Sequence, residues 1–375
     1  DNDGFHIKSL LVNFIGNGWP ELLNCDFISS LVTPVIKLTK RTSVIPFYNM
    51  SDYNKWKETN DASGWKAKYY KGLGTSTQQE AREYFRNMHT LNYKSDTPED
   101  AKFLELAFTK TEADSRKKWI LDNIKNPKTL DYTQKKVNVK DLINKELVLF
   151  SISDNVRSIP NMVDGLKPSQ RKIIYACIKR NLYSEIKVSQ LSGYVSEKTE
   201  YHHGENSLMD TIINLAQTFT GSNNMNVLEP VGQFGTRLLG GKDASSPRYI
   251  FTHLSKDFKE LFNPQDYELL DYLEEDGMQI EPQFYVPTLP LILINGACGI
   301  GTGFSTDIPC FNPDDIKKRL LKLVDDEDSD IAELTPWYKG FTGTIKKVEE
   351  NKWTTHGIYK ISGNIITVTE LPVGT

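Results

Sequence analysis

Cysteine is scarce in this chain. The four present, Cys25, Cys177, Cys298 and Cys310, lie far apart with no C-x-x-C pair. That spacing argues against a thiolate zinc site and a disulfide framework, and fits a reducing compartment. Long apolar runs are also missing. The longest, around 286–297, is interrupted by Pro287 and Pro290 and is too short to cross a bilayer, so no membrane partner is expected. No signal peptide is visible. A strong charge of one sign is lacking too: 45 Lys and Arg stand against 49 Asp and Glu, a formal net charge of −4. Any nucleic-acid surface must therefore be a local basic patch. A starting methionine is absent as well. Asp1 opens directly on a motif, and the chain reads as a piece of something longer.

What is present supports real cores. At 375 residues, 38% hydrophobic and 11% aromatic, two or three domains are expected. The densest chemistry lies in 232–249, GQFGTRLLGGKDASSPRY. Gly232, Gly235, Gly240 and Gly241 let backbone approach a bulky partner closely. Arg237, Lys242 and Arg248 supply donors suited to phosphate oxygens. Tyr249 follows Arg248 directly. A phenol titrating near pH 10 is a poor nucleophile at neutral pH. A neighbouring cation favours the phenolate and stabilises charge on an attacked phosphate. Tyr249 is therefore the candidate nucleophile, although the same residues also fit a loop feeding a strand, with Tyr249 half-buried.

Along the chain, helical and strand-like segments alternate over the first 110 residues. Ile7, Leu10, Leu11, Phe14 and Ile15 fall on one helical face. The stretch 31–39 reads as a strand with Pro34 at an edge or bend. YYKGLGTS (69–76) is a glycine loop carrying Lys71, and Thr77 with Glu80 forms a capping box opening a helix through Phe85. Asp1 and Asp3, two apart, share one side if extended, which suits Mg²⁺ but also fits an Asp-rich turn or helix cap. Residues 111–145 look like a charged linker with a helix at each end. From 157 to 180 six basic residues meet one Asp. Helices at 186–198 and 207–219, joined by a turn at 201–204, form a helix-turn-helix, and 227–250 supplies a strand–loop–strand wing. His202 and His203 adjoin, but with no Cys or third His nearby a metal is disfavoured. Ile300 stands between Gly299 and Gly301. The segments 340–349, 352–362 and 364–372 read as three short strands.

Six blocks, DNDGFHIK (1–8), YYKGLGTS (69–76), IPNMVDGLKPSQRK (159–172), YHHGE (201–205), FGTR…GGKDA…RY (234–249) and GIGTGFST (299–306), resemble eukaryotic-type (type IIA) DNA topoisomerase II, in that family's order and nearly across the whole chain. The resemblance implies an α/β plus α+β multidomain fold: the C-terminal part of a Toprim domain (1–110), the linker (111–145), a winged-helix domain with the active tyrosine (146–275) and the start of a tower domain with β-sheet (276–375). It implies that Tyr249 breaks double-stranded DNA by transesterification to a 5′ phosphotyrosyl link, assisted by Arg248 and by Mg²⁺ on Asp1 and Asp3. His6 is expected to be structural or to support those aspartates. Arg171, His202, His203, Arg237, Lys242 and Lys71 are expected near DNA, with Ile300 a wedge between base pairs. The family acts as a homodimer driven by ATP, whose site, like an early Toprim glutamate and a C-terminal gate, is not in this sequence. Localisation follows as nuclear, or cytoplasmic for a viral member. Two other classes compete, a Toprim-type nuclease using water and a DNA-bending clamp that never bonds to DNA. Phe5 and Pro247 depart from the family's pattern.

Overall fold

The computed structural model describes residues 2–70, 72–275, 278–326 and 333–375, and of Pro98 the backbone alone. Asp1 and Lys71 thus lie outside the described residues. The chain divides into two compact units, Asp1–Asn155 with Gly301–Phe304, and Val156–Ile300 with Ser305–Thr375.

The first unit is mixed α/β and opens on the helix Asn2–Gly18. Its expected apolar face exists but is mostly uncovered: Ile7, Leu11 and Phe14 are more than half exposed, Ile15 alone of the stripe packs against the core, and Val12 and Ser9 are buried. The face packed inward is the one next to that stripe. His6 stacks on Phe150 with ring centroids 4.1 Å apart, a structural contact. The strand expected at 31–39 is two strands in different sheets, Ser29–Leu31 and Ile36–Lys40, separated around Pro34. Proline cannot donate to a ladder, so the chain leaves one sheet there and enters another. Ile36–Lys40 is central to an antiparallel trio with Ser43–Phe47 and Lys66–Tyr69, and its Ile36 and Leu38 alternate into a small aromatic core with Phe47 and Tyr53.

Thr77 caps the helix Gln78–Arg86 as the capping box predicts, Glu80 returning a bond to the Thr77 N–H at 2.8 Å. The same carboxylate takes Lys68 Nζ at 2.9 Å and the Tyr70 hydroxyl. Burial opposes ionisation, but hydrogen bonds from Tyr70, Thr77 and Lys68 hold Glu80 well below the usual carboxylate range.

The 111–145 stretch is not a linker. Its helix Ala113–Lys125 buries Trp119 and Ile120, and Leu130, Val137, Val139 and Leu142 enter the same core. Charged residues dominate its composition because one face is solvated; Leu121 and Ile124 are exposed on that helix too, while Trp119, Ile120 and the apolar residues from Leu130 onward point inward. The unit's other sheet joins Thr90–Lys94 antiparallel to Ser29–Leu31 and parallel to Lys136–Asn138.

In the second unit, the helices Pro168–Arg180, Val188–Thr199 and Glu205–Ala216 surround one core with Ile173, Ile174, Leu191, Leu208, Ile212 and Leu215 buried. Ile186–Lys187, expected to begin a helix, pairs instead with Phe251–Leu254, the centre of a three-stranded antiparallel sheet flanked by Leu228–Val231. The last helix starts two residues earlier than expected and stops at Ala216, because Gln217 turns extended. A hairpin, Ala297–Ile300 with Ser305–Ile308, follows. The three strands expected at the end are four, in two hairpins, Thr344–Glu349 with Lys352–His356 and Ile358–Ser362 with Ile365–Glu370. Gly357 divides the middle segment, and a Cβ there would strike the Leu371 Cα at 3.2 Å.

Candidate active site

The loop 232–250 joins two neighbouring strands of the sheet and ends on the candidate nucleophile. It is tightly self-bonded. Asp243 accepts from Thr236 N and Oγ1, both at 2.8 Å, and those bonds hold its carboxyl below the ordinary aspartate value. Gly241 N donates to Thr236 O at 2.8 Å and Ser245 N to Gln233 O at 2.9 Å. Buried Gln217 reaches in, donating to Phe234 O at 2.9 Å and Gly241 O at 3.3 Å. The close approach that the glycines allow is, at Gly232, Gly235 and Gly241, to the protein itself. A Cβ on Gly235, whose φ is +96°, would lie 2.6 Å from Gly241 Cα. Cβ-bearing residues at that φ are strained as well.

Tyr249 closes the loop in a β-turn. Its N–H donates to Ser246 O at 2.9 Å, which puts Pro247 at the second turn position. Proline presets the backbone angle that position needs, so Pro247 suits the local geometry. The turn is pinned to the helix Val188–Thr199 by Ser189 N donating to Pro247 O and Val188 N to Ile250 O, both at 3.1 Å. Ile250 is buried. The loop does feed the strand Phe251–Leu254, as the alternative reading had it, but Tyr249 itself is 66% exposed and not half-buried. The Arg248 guanidinium lies 4.9 Å from the Tyr249 ring centroid, and both side chains are exposed. A rigid turn thus presents a phenol with a cation against its face.

The other expected residues separate into two groups. Lys242 is exposed on the same loop. Ile300 is 80% exposed at the end of its strand. His203 is exposed beside Tyr201, with ring centroids 5.4 Å apart. His202, Arg171 and Arg237 are each bonded within the protein. His202 Nε2 lies 2.8 Å from Glu275 Oε1. Arg171, expected near DNA, is 5% exposed and forks onto Asp164 at 2.8 and 3.1 Å. Asp164 is fully buried and also accepts from Leu166 N and Tyr285 N. Arg171 is thus an internal anchor of the 160–171 turn: burying a carboxylate requires a paired cation, and that pairing uses the guanidinium. Arg237 is likewise taken, its Nη1 2.7 Å from Glu370 Oε1 and its Nη2 2.8 Å from Leu371 O.

Asp3 belongs to the first unit and sits in the first turn of a helix, so the extended-segment argument for a shared side does not hold for it. Among the described residues no three His, Cys, Asp or Glu side chains gather to hold a metal ion. Sequence reasoning missed Gln217 and Glu370. Neither carries a motif signal, since the loop groups they bind, Phe234 for Gln217 and Arg237 for Glu370, lie 17 and 133 residues away.

Comparison with known proteins gives these residues a context. Residues 157–375 match the family of the A-type subunit of DNA gyrase/topoisomerase IV, and 31–155 match "C-terminal associated domain of TOPRIM". The stretch expected as a linker falls within the second match. The chain is 50% identical over 383 residues to DNA topoisomerase 2 of Saccharomyces cerevisiae, covering all of this chain and 27% of that protein. It is 48% identical over 390 residues to DNA topoisomerase 2-alpha of Homo sapiens, covering 100% of this chain and 25% of that one. A Plasmodium falciparum topoisomerase II DNA-binding, cleavage and re-ligation domain superimposes with a TM-score of 0.84 at 46% identity, over 100% of this chain and 51% of the other. The chain therefore spans about a quarter of the length of the curated relatives it matches. On these matches the chain belongs to the type IIA DNA topoisomerase family.

Proposed function

We propose that this chain carries the DNA breakage and resealing site of a type II DNA topoisomerase, with Tyr249 as nucleophile. The supporting observation is the exposed Arg248–Tyr249 pair on a pinned turn. The Tyr249 Oη attacks a backbone phosphorus and loses its proton. The bond from phosphorus to the 3′ oxygen breaks, that oxygen leaves as a hydroxyl, and the 5′ phosphate remains on the tyrosine. Arg248 stabilises charge on the five-coordinate phosphate. Because one ester replaces another, the reverse attack by the 3′ hydroxyl reseals the strand.

The helices Val188–Thr199 and Glu205–Ala216 with the sheet holding Phe251–Leu254 read as a winged helix bearing the tyrosine. The first unit reads as the C-terminal part of the Toprim region, and the terminal hairpins as the start of a tower domain. Double-stranded DNA is the substrate, contacted by Lys242 and His203 and wedged by Ile300. Two copies are needed to cut both strands, and the resulting homodimer would act with ATP in the nucleus. For Mg²⁺, Asp3 is the described carboxylate we propose as a ligand. One carboxylate among the described residues does not build a site, so no step above is routed through the ion.

Incubating the intact protein with supercoiled plasmid and Mg²⁺, quenching with detergent and digesting with protease tests this reading. Nicked or linear DNA from wild type, absent with Tyr249→Phe, is expected. Cleavage that persists in the variant and leaves bare ends would instead indicate a nuclease. Retarded, uncut plasmid with both proteins would indicate a DNA-bending clamp.

A further inference from the structure

The loop that ends at Tyr249 is bonded at its far side to a segment more than a hundred residues later in sequence. Arg237 lies in a single 3₁₀ turn, Arg237–Leu239, at the loop's outer end. Its guanidinium uses one nitrogen on Glu370 and another on the Leu371 carbonyl. Glu370 is 8% exposed and is fully employed. Its Oε2 accepts from Thr342 N at 2.9 Å and Thr342 Oγ1 at 2.7 Å, and Leu371 N donates to Oε1 at 3.1 Å. Thr342 and Glu370 sit at opposite ends of the two terminal hairpins. One carboxylate therefore ties together the start of the first hairpin, the end of the second and the tyrosine loop. The hydrogen bonds from Thr342, then Arg237, bring its pKa down to about 2, so it stays charged at neutral pH.

We propose that Glu370 is a positioning residue for the nucleophile: through Arg237 it fixes the loop 232–250, and with it the Arg248–Tyr249 turn, in register with the terminal hairpins. The inference rests on Tyr249 being the nucleophile and adds a residue that no DNA contact requires. It also reassigns Arg237, whose expected phosphate contact is replaced by an internal one. Inside the loop the bonds of Thr236 to Asp243 and Gly241 carry the constraint from Arg237 toward the residues before Tyr249.

The test uses the intact protein as wild type, Glu370→Gln, Arg237→Glu, and the exchanged pair Arg237→Glu with Glu370→Arg. DNA affinity with its salt slope, covalent adduct yield, and amide exchange of 232–250 are measured. Misplacing a reacting group by about 1 Å costs up to about a hundredfold. Glu370→Gln should therefore lower adduct formation at saturating DNA by about tenfold to a hundredfold while affinity and salt slope stay at wild-type values. Its loop should exchange faster, and the exchanged pair should recover part of the adduct. A phosphate contact predicts otherwise. Arg237→Glu would then reduce affinity and the salt slope, and Glu370→Gln would leave adduct yield unchanged, which would overturn the inference. If wild type forms no adduct, the proposed function fails, and loop exchange alone decides the link: wild-type protection in Glu370→Gln would sink it.

Discussion

At the scale of single residues, the pair Asp164–Arg171 shows how a basic motif can face inward. Removing one partner of a buried pair leaves an uncompensated charge and costs about 3–5 kcal/mol. Arg171→Ala should lower stability in urea unfolding by that order, with much less effect from Lys242→Ala. Lys242→Ala should instead weaken DNA binding across sequences and reduce the salt slope by about one. The cysteines divide by the same logic. Burial pushes the Cys177 thiol up to about 12 and the Cys310 thiol up to about 11, whereas Cys25 and Cys298 are exposed. Iodoacetamide at pH 8, followed by peptide mass spectrometry of the folded protein, should mark Cys25 and Cys298 and spare Cys177 and Cys310. Residue identity in GLKPSQRK gave a basic motif but not its direction. Which way a guanidinium turns depends on a carboxylate seven positions back and on the Tyr285 backbone, and no local pattern encodes that.

At the scale of elements, local chemistry was the most readable. The capping box at Thr77 and Glu80 was legible because both partners lie within four residues, and Thr77→Ala should cost about 1 kcal/mol in thermal or urea unfolding. The helix-turn-helix was legible from its periodicity, with its boundaries displaced by two or three residues where Ile186 joins a sheet and Gln217 leaves the helix. The first helix was legible as a helix but not in its burial. Periodicity finds an apolar stripe without saying what lies opposite. In the chain 1–375, Leu11→Gln should change stability by less than about 0.5 kcal/mol. Val12→Ala, at a fully buried position, should cost about 2 kcal/mol. The segment 111–145 misled because charge dominated its composition while a few spaced apolar residues decided its packing.

At the scale of the whole molecule, acid stability follows from the carboxylates held low. Glu80 and Glu370 have folded pKa values below their unfolded ones, near 4.5. Each therefore contributes stability that is present above about pH 4.5 and is lost as pH falls, for Glu370 through about 2. Unfolding midpoints should drop between pH 5 and 2, and the drop should be smaller in Glu370→Gln. The order of the motifs made the family legible along nearly the entire chain, because each block is short and local. The division into two units was not legible, since it depends on residues 301–304 returning to the first unit from the middle of the second. Ile300, 80% exposed beside that return, should matter to DNA shape and not to folding. Ile300→Ala should keep the melting temperature and reduce duplex bending measured by end-to-end energy transfer.

The proposed function turns on Tyr249 becoming bonded to a DNA 5′ end. The most direct measurement is to trap the intact protein on a duplex labelled separately at each terminus, digest it, and sequence the DNA-linked peptide by mass spectrometry. With Tyr249 as nucleophile, the expected product is a peptide spanning Arg248–Tyr249–Ile250, carrying a 5′ phosphate ester on the tyrosine oxygen, with a free 3′ hydroxyl on the other fragment. A modified residue other than Tyr249, or a peptide on the 3′ end, would contradict it.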